Sequence, residues 1–256
     1  MGLFVVASGK GGVGKTTTTL ALAAALKELN VESVMLDADV GASLTGSMGF
    51  EADGTQAYDL LTSERDLSEF TLTSPEGLTF VPGTAKVGTI DRSAVDSIAK
   101  RLKILSKNTH IIVDTAQSLI LSVTRAAIKA ADTLIVPIIL EPKSVERSAL
   151  DVVALIKAYN IDPELFFIAT MAQSNLKLTQ QQLNRVANLG ISLSAIVPRA
   201  VAASEADLFH QSVVTYAPKN AASEAYRQLA RTIVGHLNQD HLSHITPASL
   251  NDFVTA

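Results

Sequence analysis

Residues 8–19 read SGKGGVGKTTTT, a glycine-rich run that points to one fold class. Gly9, Gly14, Lys15 and Thr16 fit the spacing G-x-x-x-x-G-K-[ST], in which the backbone N–H groups of a glycine-rich turn close around phosphate oxygens. The flanks supply the context this pattern requires. LFVVAS, residues 3–8, is short and almost wholly apolar, as a parallel strand buried on both faces must be. TTTTLALAAALKELN, residues 16–30, places Leu20, Ala23, Ala24 and Leu26 at helical spacing. Strand, loop and helix together aim the positive end of a helix dipole at the phosphates. Lys15 then reaches the β and γ phosphates, and the Thr16 hydroxyl holds magnesium. The alternative, a glycine-rich turn that binds nothing, leaves this placement unexplained. The stretch also holds a second lysine, Lys10, which a phosphate loop does not need.

Composition fits such a protein. The chain has 256 residues, 47% of them hydrophobic and 18% charged, enough for one large core and too few charges for a disordered chain. One domain is predicted over residues 1–238, with an irregular tail over 239–256 in which Thr246 and Pro247 could open a short helix. The formal net charge of −4 gives no whole-molecule attraction to nucleic acid or anionic membrane, but leaves room for a local basic face. Cysteine is absent, which excludes cysteine-ligated iron–sulfur or zinc chemistry and fits a reducing compartment. The N-terminal apolar run is too short for a signal segment, and no stretch approaches the ~20 apolar residues of a membrane span. A cytoplasmic protein is expected.

Further along, ESVMLDAD, GLTFVPG, THIIVDTA, DTLIVPIIL, LFFIATMA and ISLSAIVPR read as strands. Between them, DRSAVDSIAKRLKILSKN, LILSVTRAAIKAA, SVERSALDVVALIKAYN and LTQQQLNRVANLG read as helices. The alternation predicts an α/β fold, a mostly parallel twisted sheet with helices on both faces. GFEADGTQAYDLLTSERDLSEF, residues 49–70, is the least regular part and predicts loops and short helices. Asp114 closes the apolar run HIIVD, where a carboxylate at a strand end can face magnesium beside the phosphates; an ordinary turn-starting aspartate is the other reading. Asp37 and Asp39 end another strand on one face, since side chains two apart share a side. They could serve the water shell of magnesium and the attacking water.

KGGVGKTT, LDAD and IIVDTA together resemble the deviant Walker A ATPases, the ParA/MinD group of P-loop proteins. AIKAADTLIVPIILEPKSVE, ATMAQSNLKLTQQQLNRV and IVPRAVAASEADLFHQSVVTYAPKNAASEAYRQLAR look like later ParA segments in order and spacing. The resemblance implies ATP and Mg2+ as cofactors, and a role for Lys10: reaching across a two-fold interface to the partner's ATP, so that ATP makes a homodimer. It further implies that Gly11, Gly12, Val13, Gly14, Lys15, Thr16 and Thr17 cradle the phosphates. Thr16 would ligate magnesium directly, with Asp37 and Asp114 holding it through waters. Asp39 would orient the attacking water, and Pro198 would line the adenine.

Departures and absences refine the expectation. The family's DTPP reads DTAQ at residues 114–117, and its D-x-D-P-Q reads DADVG at residues 37–41, both near the segments that answer to the γ-phosphate. The last 22 residues contain neither Lys nor Arg, unlike the basic amphipathic helix of MinD-like members, so membrane association is not expected. The loop begins within the first ten residues, with no preceding DNA-reading domain. The short ParA type remains. By that resemblance the chain is a slow, partner-stimulated ATPase whose dimer binds nonspecific DNA and positions plasmid, chromosome or protein cargo on the nucleoid, reset by hydrolysis through a ParB-like or cargo adaptor. Lys177, Arg185, Arg199, Lys219, Arg227 and Arg231 are the candidate DNA contacts. A MinD-like membrane regulator and a metabolic enzyme activating a carboxylate are the alternatives.

Overall fold

The computed structural model describes residues 1–141, 144–173 and 177–239. In chain order the elements are β1 (Leu3–Val6), α1 (Lys15–Glu28), β2 (Ser33–Ala38), α2 (Ser43–Ser47), α3 (Gln56–Thr62), β3 (Leu72–Thr73), β4 (Thr79–Val81), α4 (Val95–Leu105), β5 (His110–Thr115), α5 (Ser122–Ala130), β6 (Thr133–Ile139), α6 (Ser144–Tyr159), β7 (Glu164–Ala172), α7 (Lys177–Asn188), β8 (Leu193–Pro198), α8 (Val201–Leu208), α9 (Val213–Tyr216) and α10 (Ala221–Gln239). The eight strands form one sheet in the order β3-β4-β2-β5-β1-β6-β7-β8. Every pairing is parallel except β3 with β4, an antiparallel edge of two residues. The predicted mostly parallel sheet is therefore what forms.

Alternating side chains divide the interior into two layers, as a pleated strand requires. Leu3 and Val5 of β1 join Leu36, Val113, Leu134 and Val136 beneath α3, α4, α5 and α6. Phe4 and Val6 join Met35, Ile112 and Ile135 beneath α1 and α10. Helix α1 is buried nearly all round from Thr18 to Leu26, which explains its run of alanine and leucine and the weakness of any single apolar stripe. It lies between the sheet and α10, and the buried Thr18 and Tyr226 hydroxyls meet at 3.2 Å across that contact.

The strands that matter for chemistry end side by side. Asp37 of β2 and Val6 of β1 both register with Asp114 of β5, so the chain leaves the sheet at neighbouring points as the glycine loop, the β2–α2 turn and the β5–α5 turn. Ligand sites of open parallel sheets form beyond these carboxyl ends. Residues 240–256, which include most of the expected irregular tail, lie outside the described residues.

Candidate functional site

The glycine loop is shaped by backbone conformation. Gly12 and Gly14 have φ of 70° and 84°, the left-handed region that glycine enters without penalty. Gly14 is also the N-cap of α1, with no side chain capping the helix and no acidic residue in its first turn, so the N-terminal N–H groups stay available to an anion. The loop is pinned from the other side. The Thr170 hydroxyl of β7 lies 2.8 Å from the carbonyl oxygen of Val13 and 3.2 Å from that of Ile138.

A cavity of about 580 Å³ opens in front of the loop. Its walls include Gly11, Gly12, Gly14, Lys15, Thr16 and Thr17, with Asp39 from the β2–α2 turn and Gln117 from the β5–α5 turn. Met171 closes part of the rim from β7. Thus the expected phosphate cradle and Asp39 meet in one space. Pro198 ends β8 in register with Ala172 and is not among the lining residues.

Asp114 is fully buried behind the cavity-lining Thr16 and is not itself among the lining residues. One oxygen accepts a 2.7 Å hydrogen bond from the Thr16 hydroxyl; the other, Oδ1, is buried without a partner. Burial, reinforced by the nearby Asp37 carboxylate, pushes its carboxyl up to about 8, against the pull of Thr16 and Lys15. Lys15 is nearly buried, and burial draws its ammonium below the ordinary value while Asp114 and Asp39 oppose the shift. An orphaned buried carboxylate oxygen beside a hydroxyl is a fitting place for a hard cation that takes oxygen ligands.

Asp37 is equally buried but differently employed. Its Oδ2 accepts from the Thr45 N–H at 2.9 Å and the Thr45 hydroxyl at 2.7 Å, and its Oδ1 accepts from the Asp39 N–H at 3.2 Å. The Thr45 hydroxyl in turn accepts from the Gly83 N–H at 2.7 Å. A Cβ at Gly83 would stand 2.5 Å from Asp37 Cγ, so only glycine fits there. Burial raises the Asp37 carboxyl to about 6 even with three donors on it. Asp39, half-buried, accepts from the Gly41 N–H at 3.2 Å and the Ser43 hydroxyl at 2.9 Å.

Lys10 pairs within its own chain, its Nζ 2.9 Å from Glu141 Oε2. Sequence reasoning did not find Glu141, 131 residues away, nor Thr45, Thr170 or Met171; none belongs to a spaced motif. Among the basic candidates, Arg185, Arg199, Lys219 and Arg231 are exposed, with Arg231 3.0 Å from Glu224. Arg227 does not join them. Its guanidinium grips Glu28 at 2.6 and 2.9 Å and donates to the Pro218 carbonyl at 2.6 Å, tying α10 to the end of α1. Lys177 opens α7, but its side chain lies outside the described residues.

Residues 4–213 match the family model described as the CobQ/CobB/MinD/ParA nucleotide binding domain. The chain belongs to this family. It is 29% identical to the chromosome partitioning protein ParA of Caulobacter vibrioides, over 91% of this chain and 93% of that one. It is 26% identical to the sporulation initiation inhibitor protein Soj of Bacillus subtilis, over 91% and 98%. The solved septum site-determining protein MinD of Pyrococcus horikoshii, complexed with Mg-ADP, shares the fold at a TM-score of 0.73 and 23% identity, over 90% of this chain and 94% of that one. The nucleotide-binding domain of this family thus accounts for the sheet, the loop and the cavity together.

Proposed function

We propose that the chain is a ParA-type ATPase, one ATPase domain over residues 1–238, that binds ATP with Mg2+ and dimerises on it. The carrying observation is the open α1 N-terminus and Lys15 set against the unpartnered Asp114 oxygen, a site with places for both phosphate and its cation. The likeness to a ParA and to Soj along nine-tenths of the chain supports the choice within the family. Thr16 and Asp114 would hold Mg2+, with Asp37 behind them. Bound there, Mg2+ would neutralise charge on the phosphate oxygens.

The protein's own groups do the rest. Loop N–H groups and Lys15 bind and orient the phosphates, and Asp39 faces the same cavity from the opposite turn, where it would orient water. Lys10, on the loop's outer side, would leave Glu141 for the partner's nucleotide. The dimer would join two modest basic faces, each with Arg199, Lys219, Arg185 and Arg231, into a DNA-binding surface that places cargo on the nucleoid. An adaptor protein would then stimulate hydrolysis and reset it.

A MinD-like membrane role is the second reading, kept because the matched family model spans MinD as well as ParA. Measuring duplex DNA and anionic-liposome binding side by side, with ATP and with ADP, separates the two. ATP-dependent, strongly salt-sensitive DNA binding is expected, since each neutralised phosphate contributes a slope of about −0.9 in log K against log salt. Liposome binding without DNA binding would give first place to the membrane reading. By light scattering, Lys10→Ala should remain monomeric with ATP while still binding nucleotide.

A further inference from the structure

The β5–α5 turn carries a side chain that neither the motif nor the proposed roles employ. Gln117 follows the buried Asp114 by three residues, and its carboxamide lies directly on the glycine loop. A Cβ built on Gly11 would stand 2.0 Å from Gln117 Oε1 and 3.2 Å from Cδ. Gly11 does not have the positive φ of Gly12 and Gly14, so what it contributes at this contact is the room a missing Cβ leaves for the exposed Gln117 amide. The same amide lines the cavity and makes no hydrogen bond among the described residues. Asp39, across the cavity, has one donor on each carboxylate oxygen and keeps further lone pairs for water, so the amide stands beside it and does not replace it.

A carboxamide with free donor and acceptor sites, seated on a phosphate-binding loop, suits a group that must touch phosphate and water at once. We propose that Gln117 is a catalytic residue of the ATPase reaction: its N–H2 donates to the terminal phosphate and its carbonyl oxygen holds the attacking water. This rests on the ATPase reading above and adds a residue to it. The water oxygen bonds to the γ-phosphorus while the bond from that phosphorus to the β–γ bridging oxygen breaks. The electron pair leaves on ADP, and the proton that water sheds passes to the phosphate, giving ADP and inorganic phosphate. Gln117 gains and loses no proton. Its contribution is orientation, so it acts on the rate of the chemical step and little on ATP affinity.

The pairing with Gly11 supplies an independent handle. Gly11→Ala needs no backbone strain, but its methyl occupies the place of the amide and swings Gln117 away. Single-turnover release of labelled phosphate from Mg-ATP, with duplex DNA present, should fall about 10- to 100-fold in Gln117→Ala, with the ATP Kd within about threefold of the parent. Gln117→Glu keeps the shape and the acceptor but loses the donor, and should fall as far; a packing role would leave it near the parent. Gly11→Ala should fall likewise, and Gly11→Ala with Gln117→Ala should be no slower than the slower single variant, because both remove one interaction. Parent-like rates in Gln117→Ala, or multiplying losses in the double variant, would overturn the assignment while leaving the ATPase reading intact. A parent that binds ATP and releases no phosphate overturns both.

Discussion

Two neighbouring strand ends carry the same residue in the same register and use it in opposite ways. Asp37 and Asp114 face each other across the β2–β5 ladder, and both are fully buried. Around Asp37 the donors are complete: two from Thr45, one from the Asp39 backbone, with Gly83 locked onto the same hydroxyl. Around Asp114 one oxygen accepts from the Thr16 hydroxyl, the other is left bare, and the Lys15 ammonium is close enough to act on the carboxyl. A buried carboxylate with all its hydrogen bonds is a piece of scaffold, whereas one with a missing partner is stabilised only when a ligand arrives. Two identical residues on one sheet edge are thus told apart by their unmet valence.

The largest expected effect lies on the Asp114 side and is on binding. Lys15→Ala removes the buried cation set between Asp114, Asp39 and the cavity, and ATP affinity measured by calorimetry should fall by at least about 100-fold, since a charge-assisted bond to phosphate is lost. Thr45→Val, on the Asp37 side, should change that affinity less than about threefold. Comparable losses in the two variants would erase the division between ligand end and scaffold end.

In stability, too, the two aspartates should differ, with opposite sign when each becomes an amide. Asp114 titrates at about 8 when folded, far above its ordinary 3.8, so the folded state holds a proton that the unfolded chain has already released. The stability this contributes is fully present below about pH 4 and is lost as pH rises through 8. A neutral amide avoids that loss. In nucleotide-free, metal-free buffer at pH 8, Asp114→Asn should therefore raise the melting temperature by about 5–10 °C, with the gain shrinking toward pH 4. Asp37, raised to about 6, shares a smaller part of that relief, but Asp37→Asn has three N–H or O–H donors to satisfy and only one acceptor oxygen left, and the lost hydrogen bonds outweigh the relief, so at pH 8 it should lower the melting temperature by a few degrees. Scanning calorimetry across pH decides it; shifts of the same sign in both variants would contradict the assignment. Thr45→Val is the milder version, leaving the Gly83 N–H unpaired at a cost of about 1–3 kcal/mol.

How much of this could be read beforehand follows from physical length scale. Strands buried on both faces are continuous apolar runs, so LFVV, HIIVDT and TLIVPII were legible, as was α1 from the alanine and leucine that follow the glycine loop. β3 has two residues, α2 five and α9 four, too short to show a period, and α8 carries small residues on all sides whose burial is decided by neighbours. The site divides likewise. Lys15, Thr16 and Asp114 stand at spacings fixed by backbone geometry, and the structure brings them together as those spacings imply. Thr45 reaches Asp37 and Gly83 from eight and 38 residues away, and only the course of the chain after β2 makes that meeting. Gln117 was visible as a departure from DTPP, but its contact with Gly11 depends on how two loops cross.

The same contrast recurs, more weakly, on the outer helices, where arginines that look alike in sequence are committed differently. Arg227 has a side chain only 16% exposed, and its fork spans Glu28 and the Pro218 carbonyl, which holds its partner Glu28 below the usual carboxylate range. Arg199 is exposed at the end of β8, beside the turn into α8. Partly exposed pairs are screened by solvent, so Arg227→Ala should cost no more than about 1 kcal/mol, a shift of about 2–4 °C in melting temperature. Arg199→Glu together with Lys219→Glu should leave the melting temperature within about 1 °C and ATP-driven dimerisation intact. In a DNA-binding titration at low salt with ATP, that charge reversal should weaken binding about tenfold or more and flatten the salt dependence, because two phosphate contacts per protomer become repulsive. Arg227→Ala should bind DNA within about threefold of the parent once corrected for the folded fraction. If Arg227→Ala lost DNA binding and the double reversal did not, the basic face would have to be drawn around α10 and the Glu28 pair counted as a resting contact that DNA displaces.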